Sequence, residues 1–219
     1  MEKIKLLRNV PLFSDLPEAD IQAISNLAAT RIYHKNTIII SEGDLSDSMY
    51  VILSGKVKVL LSDDEGKEII INIQGEGEYF GELALLDDAP RSATVMTIEE
   101  CKLVVVSKSA FENCLAKNGE LALRVIRGLS ARLRSLTENV KSLALMDVYG
   151  RVARTLLELA KPVNDGLVID QKLTQRDLAS MVGASREMVS RILKDLSKGG
   201  YITINHKNII IHDKLPPGW

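Results

Sequence analysis

The chain has 219 residues, 46% apolar and 26% charged, an ordinary globular composition for one large domain or two modest ones. No apolar run approaches the roughly 18 residues of a membrane span; the start, MEKIKLLRNVPLF, lacks a long apolar stretch and a small-residue cleavage site, and two cysteines, Cys101 and Cys114, are too few for a disulfide framework or a cysteine-rich metal site. Net charge is −1, but it divides into −4 over residues 1–145 and +3 over residues 146–219, which makes the last third the better partner for a polyanion.

Residues 1–30 read as a short helical lead-in punctuated by Pro11 and Pro17. From Arg31 to about Lys108 the texture is β: NTIII, MYVILSGKVKVLLSD, KEIIINIQ and CKLVVVSK are short Val- and Ile-rich runs separated by glycines. Val57, Val59 and Leu61 alternate with Lys56, Lys58 and Leu60, which predicts a strand with the first set on its buried face. DDEGK between two such runs predicts a hairpin turn. Short strands at regular intervals imply a barrel or roll.

The texture then becomes helical. Ile126, Leu129, Leu133, Leu136, Val140 and Leu143 are spaced 3, 4, 3, 4, 3, a coiled-coil seam flanked by Arg124, Arg127, Arg132, Arg134, Glu138 and Lys141. Such a seam must be covered, by the chain's own β domain or by the same helix of a second copy; its regularity favours a two-fold homodimer. In DVYGRVARTLLELAK, Val148, Val152, Leu156 and Leu159 share a face, and Pro162 and Gly166 end the helix. Thr174 is an N-cap for QRDLASMV, Gly183 marks a sharp turn, and Ser185 caps the next helix: a helix-turn-helix. YITINHKNIIIHD follows as a hairpin wing turning around His206 to Asn208. The organisation expected is α+β, with a jelly-roll-like β-roll sensor at 1–116, a dimerisation helix at 117–145 and a winged helix-turn-helix at 146–219.

Within the second helix of that motif, Val189, Ile192, Leu193 and Leu196 form the core stripe, and Glu187, Arg191, Lys194 and Lys198 lie opposite, with Arg186 on the flank. A charged face is common to any amphipathic helix. Here it begins with Arg, Glu and Arg, types that bond guanine O6/N7 and accept from cytosine N4 in the major groove. Thr174, Gln175, Ser185 and Lys194 are candidates for phosphate contacts that set the register on double-stranded DNA.

FGELALLDDAPRSATV, residues 80–95, holds a second constellation. Arg91 and Ser92, with the amide of Ala93, supply the charge, hydroxyl and N–H groups that a phosphate needs. Glu82 is an acceptor for a ribose hydroxyl, and Gly81 lets the backbone approach closely. A phosphate beside a ribose inside a β-roll points to a cyclic nucleotide. A surface ion pair between Glu82 and Arg91 across a tight turn is the other arrangement these residues allow.

The stretch closely resembles the phosphate-binding cassette of cyclic-nucleotide-binding domains, FGELAL followed by PRSATV. From about Leu12 to Asp213 the chain resembles the cyclic-AMP receptor protein family of transcription regulators, with LALMDVYGRVARTLL at its hinge and VGASREMVSRILK in its recognition helix. The resemblance implies a cassette of Gly81, Glu82, Leu83, Ala84, Arg91, Ser92 and Ala93 binding cyclic AMP, and an Arg132 that braces Glu82. It implies DNA reading by Arg186, Glu187 and Arg191 at TGTGA-type inverted repeats, and contact with RNA polymerase. One position departs: where the family places a threonine that bonds adenine, this chain has Leu136, followed by Thr137. Two expectations follow. Adenine selectivity is weak or rests on Thr137 alone, opening the pocket to another cyclic nucleotide, or the seam is stable without ligand and DNA binding is constitutive.

His34, His206 and His212 are scattered without metal spacing, and Trp219 lies in a tail, KLPPGW, read as a frayed end. No P-loop, kinase loop or nucleophile elbow is present, and residues 146–219 are too few for a catalytic domain, which argues against an enzyme's regulatory subunit. A DNA-binding protein whose β-roll is a ligand-free platform stays open on Leu136. The protein is expected in the cytoplasm, with both thiols reduced.

Overall fold

The structure is a computed structural model describing residues 4, 7–163, 166–169, 174–205, 208–212 and 214–216, apart from the side chain of residue 27. The chain divides into two compact units, Met1–Leu133 and Arg134–Trp219.

In the first unit, helix α1 (Glu18–Leu27) starts directly after Pro17, and Glu18 and Asp20 in its first turn complement the helix dipole. Strands β1 (Ala29–Tyr33), β2 (Ile38–Ile40), β3 (Ser48–Ser54), β4 (Val57–Ser62), β5 (Glu68–Gln74) and β6 (Tyr79–Phe80) follow. A single-turn helix α2 (Leu83–Leu86) precedes β7 (Thr94–Thr97) and β8 (Cys101–Ser107), and helix α3 (Lys108–Lys117) leads to the long helix α4 (Gly119–Leu145). The strands form two antiparallel sheets, β1-β8-β3-β6 and β2-β7-β4-β5. Ile40, Val57 and Val95 of one sheet meet Ile52, Phe80 and Leu103 of the other in a core between them. The opposite face of β3 and β8, through Met49, Val51, Val104 and Val106, is covered by Phe13, Ile21, Ile24, Phe111, Leu121 and Val125. Burial on both faces is why MYVIL and KLVVV are continuous apolar runs rather than alternating ones.

The alternation expected in β4 holds for only part of the strand. Val57 and Leu60 are buried while Val59 and Leu61 are half-buried, and the register against β5 shifts after Val59, where β5 carries Ile71 as an extra residue between Ile70 and Asn72. The DDEGK turn forms as expected: Asp63 Oδ1 accepts from the amides of Glu65 and Lys67, and Gly66 takes φ +77°.

The second unit holds the last part of α4, then α5 (Val148–Leu159), β9 (Lys161–Val163), β10 (Gly166–Ile169), α6 (Gln175–Val182), α7 (Arg186–Lys198), β11 (Ile202–Ile204) and β12 (Ile209–Ile211). Asp147 caps α5 by accepting from the Gly150 amide at 2.7 Å. The wing is broader than the hairpin read from sequence: β9 and β10 extend it to an antiparallel sheet β11-β12-β10-β9. Val152, Leu156, Ile169, Leu178, Val182 and the core stripe of α7 bury together beneath it. His206 and Trp219 lie outside the described residues.

Candidate ligand cassette and DNA-reading helix

The cassette runs from β6 through α2 to the start of β7. Gly81 has φ +80°, and a Cβ there would stand 2.6 Å from Arg91 Nη1 and 3.0 Å from Ile40 Cδ1, so this position requires glycine. Glu82 is 1% exposed and Arg91 4% exposed, which removes the surface ion pair as a description of these residues. Arg91 donates through Nη1 to the Gly81 carbonyl at 2.5 Å, and through Nη2 to Ser46 Oγ and to the Ser48 carbonyl. Its backbone is tied to the same loop, with the Arg91 amide donating to Asp44 O at 2.9 Å and the Gly43 amide to Arg91 O at 2.8 Å. All three side-chain acceptors are neutral. Burial pulls the Arg91 guanidinium below its ordinary value, and Tyr50, Glu82, Asp47 and Asp44 nearby oppose that shift.

Glu82 pairs instead with Arg132 of α4, whose Nη1 donates to Glu82 Oε1 and whose Nη2 donates to the Tyr79 carbonyl. The Arg132 guanidinium also lies over the Tyr79 ring, 4.7 Å from its centroid. Burial pushes the Glu82 carboxyl above its ordinary value, and Arg132 draws it part of the way back. Ser92 is exposed and Ala93 buried; Leu83 is exposed on α2 and Ala84 buried beneath it. A cavity of about 380 Å³ is lined by Ala84, Asp88 and Ala89 of the cassette together with Leu45, Ser46, Asp47 and Lys108. Sequence reading missed Ser46 and Ser48, which meet Arg91 from more than forty residues away. It also missed Tyr79, whose only signal is its place just before FGE.

In the second unit the helix-turn-helix is set by local caps. Thr174 Oγ1 accepts from the Asp177 amide at 3.1 Å, and the Asp177 carboxylate accepts from the Thr174 amide and hydroxyl at 3.1 and 2.7 Å. Gly183 closes α6 at φ +61°, and Ser185 Oγ accepts from the Met188 amide at 3.2 Å. Arg186, Glu187, Arg191 and Lys194 are exposed on α7, and Gln175 is exposed at the start of α6. Both donors of Thr174 face Asp177, so Thr174 is committed to its cap. Ser185 only accepts in its cap, which leaves its O–H able to donate to a phosphate. Arg151 gave no signal in the sequence pattern: Nε donates to Val182 O at 2.7 Å and Nη1 to Met146 O at 2.8 Å.

Along α4, Ile126, Leu133, Leu136, Val140 and Leu143 expose 42–66% of their surface. Leu129, expected in the same seam, is instead half-buried against the first unit's own core. Thr137 is exposed on the same helix. No helix among the described residues is long and apolar enough to cross a membrane, and no group of three His, Cys, Asp or Glu among them is placed to hold a metal ion.

A β-roll with a buried Glu–Arg cassette, carried on one chain with a winged helix-turn-helix, defines the class of cyclic-nucleotide-binding, DNA-binding regulators. Residues 30–118 match the family model of the cyclic nucleotide-binding domain, and residues 150–214 match that of the Crp-like helix-turn-helix domain. The chain is 32% identical over 213 residues to the CRP-like cAMP-activated global transcriptional regulator of Mycobacterium tuberculosis, covering 95% of each chain. It is 35% identical over 190 residues to the cAMP-activated global transcriptional regulator Vfr of Pseudomonas aeruginosa, covering 83% of this chain and 88% of that one. Among solved structures, the c-di-GMP responsive global regulator CLP of Xanthomonas campestris matches with a TM-score of 0.77 at 26% identity, over 90% of this chain and 100% of that one. The chain belongs to the cyclic-AMP receptor protein (CRP/FNR) family.

Proposed function

We propose that this protein is a homodimeric, sequence-specific transcription regulator, not an enzyme, gated by a cyclic nucleotide, with cyclic AMP as the effector. The observation that carries the reading is Arg91: a buried cation whose hydrogen-bond partners are all neutral, next to a buried carboxylate, is poised for an anion attached to a hydroxylated ring. Arg91, Ser92 and the Ala93 amide take the cyclic phosphate. Glu82, flanked by Gly81, Leu83 and Ala84 and braced by Arg132, takes the ribose, and Thr137 takes the base. The exposed apolar row of α4 is covered by the same row of a second copy. Arg186, Glu187 and Arg191 read TGTGA-type half-sites of double-stranded DNA in an inverted repeat, and Gln175, Ser185 and Lys194 hold phosphates. Ligand favours the dimer arrangement in which the two α7 helices meet successive major grooves roughly 34 Å apart, with the change at the hinge near Met146 and Asp147. Residues 1–116, 117–145 and 146–219 divide these tasks, in the cytoplasm and in concert with RNA polymerase.

A second reading has its own support: Leu136 has no polar atom to meet a base, and CLP, at 26% identity, is described as c-di-GMP responsive. Calorimetric titration of the dimer with cyclic AMP, cyclic GMP and c-di-GMP decides, with Arg91→Ala alongside. Cyclic AMP heat that vanishes in the variant supports the first reading. Heat from another of the three alone moves the effector, and specific operator binding by nucleotide-free protein removes the gate.

A further inference from the structure

The inner face of α4 is Leu121, Val125, Gly128 and Arg132, one residue per turn, and it packs on the first unit's own core. Glycine in the middle of a long helix is a poor helix former, so its presence there calls for a steric reason. A Cβ at Gly128 would overlap the hydroxyl oxygen of Tyr79 and come within 3.5 Å of its Cζ. Tyr79 has little room to retreat, since the residue is 8% exposed and packed in the core. Its hydroxyl is buried with no hydrogen-bond partner among the described residues, so packing holds that oxygen in place. One turn further along α4, the same ring carries the Arg132 guanidinium on its face, and the same residue's carbonyl accepts from Arg132 Nη2. Tyr79 thus grips the helix at two successive turns, by its hydroxyl at Gly128 and by its ring at Arg132.

We propose that Gly128 and Tyr79 form a docking notch that seats α4 on the cassette strand, and that Gly128 is a positioning residue for the ribose contact, acting through the Arg132 brace on Glu82. The inference rests on the cyclic-nucleotide reading above for its ligand, but the notch itself does not depend on ligand. A side chain at 128 must lift the helix by roughly 1 Å to restore ordinary contact, and that lift withdraws Arg132 from Glu82. Without its brace Glu82 loses the cation that draws its carboxyl down against burial and the donor that orients it, and it becomes a poorer acceptor for the ribose 2′-hydroxyl. The phosphate contacts of Arg91 remain, since Arg91 is held by the 43–48 loop and Gly81 rather than by α4.

The test uses four full-length proteins: wild type, Gly128→Ala, Tyr79→Phe and the double variant. Each is titrated with cyclic AMP and with 2′-deoxy cyclic AMP, and each is melted without ligand. Gly128→Ala is expected to weaken cyclic AMP roughly tenfold or more, as for a lost charge-assisted hydrogen bond, while 2′-deoxy cyclic AMP changes little, so the ratio between the two ligands collapses. Tyr79→Phe removes the offending oxygen, and the double variant is expected to recover both the ratio and the melting temperature lost in Gly128→Ala. If Gly128→Ala alone does not fold, a folded double variant supports the notch, and an unfolded one overturns it. An unchanged ligand ratio in a folded Gly128→Ala, or additive losses in the double variant, overturns the proposal. Wild type that binds neither ligand removes the nucleotide reading, and the melting cycle still decides the notch: recovery upholds it, additivity ends it.

Discussion

Gly81→Ala isolates the pressure that Arg91 exerts on the cassette backbone. Two costs add at this position. An alanine at φ +80° bears the left-handed penalty of roughly 1–2 kcal/mol. Its Cβ would also stand 2.6 Å from Arg91 Nη1, so the guanidinium must leave the Gly81 carbonyl, and a hydrogen bond with a charged donor is worth roughly 1.5–3 kcal/mol. Together they destabilise the β-roll by about 3 kcal/mol, which lowers its melting temperature by roughly 10 °C for a unit of this size. Gly43→Ala is the control: its φ is +84°, and nothing lies within 4 Å of a Cβ there, so it carries the backbone penalty without the clash. Differential scanning calorimetry of both variants should put Gly81→Ala well below Gly43→Ala. Cyclic AMP affinity should fall in Gly81→Ala only. Equal melting temperatures would show that Arg91 does not bear on Gly81, and the account of a pre-set guanidinium would fail.

The burial pattern of β4 predicts that Leu60→Ala costs about 2–5 kcal/mol while Leu61→Ala costs less than half of that, because Leu60 is 2% exposed and Leu61 half-buried; urea melts giving the reverse order would restore simple alternation. Thr174→Ala should remove about 1 kcal/mol of cap from α6 yet leave operator affinity within a few-fold, since its donors face Asp177; a tenfold loss of DNA affinity in a folded variant would make Thr174 a phosphate contact after all. Burial holds Glu82 above its ordinary value of 4.5, so the folded state binds that proton more tightly than the unfolded state. The stability this contributes is fully present below pH 4.5 and is lost as pH rises through the raised value. Glu82→Gln should flatten that part of the stability–pH curve, and an unchanged slope would place the titration elsewhere.

The parts of this molecule that were legible in sequence are those fixed by a few neighbouring residues. The Asp63–Lys67 turn, the Thr174 and Ser185 caps and the left-handed Gly183 each rest on hydrogen bonds spanning four residues or fewer, and residue type alone announces them. The FGE and PRS segments of the cassette were legible as chemistry, but not as geometry. What holds Arg91 is a loop at 43–48, and what holds Glu82 is a helix fifty residues on; neither separation leaves a periodic trace. The β9–β10 pairing escaped the sequence because runs of three and four residues beside a proline are too short to outweigh a helix stop.

Helix α4 was the hardest case, because it carries two stripes. One is the inner row through Leu121, Val125, Gly128 and Arg132, set by the helix's own 3.6-residue turn against its β-roll. The other is the outer row through Ile126, Leu133, Leu136, Val140 and Leu143, written in a 3.5-residue repeat. The two periods drift by about 20° per heptad, so rows that run apart near one end of a helix converge near the other. Leu129 stands where they meet, in register with the outer row by spacing and half-buried in the inner core by packing. Apolar spacing assigns such a residue to whichever repeat is more regular. Only the β-roll pressed against it shows that it serves the other, and the glycine beside it, invisible to any hydrophobic pattern, marks how closely that roll approaches.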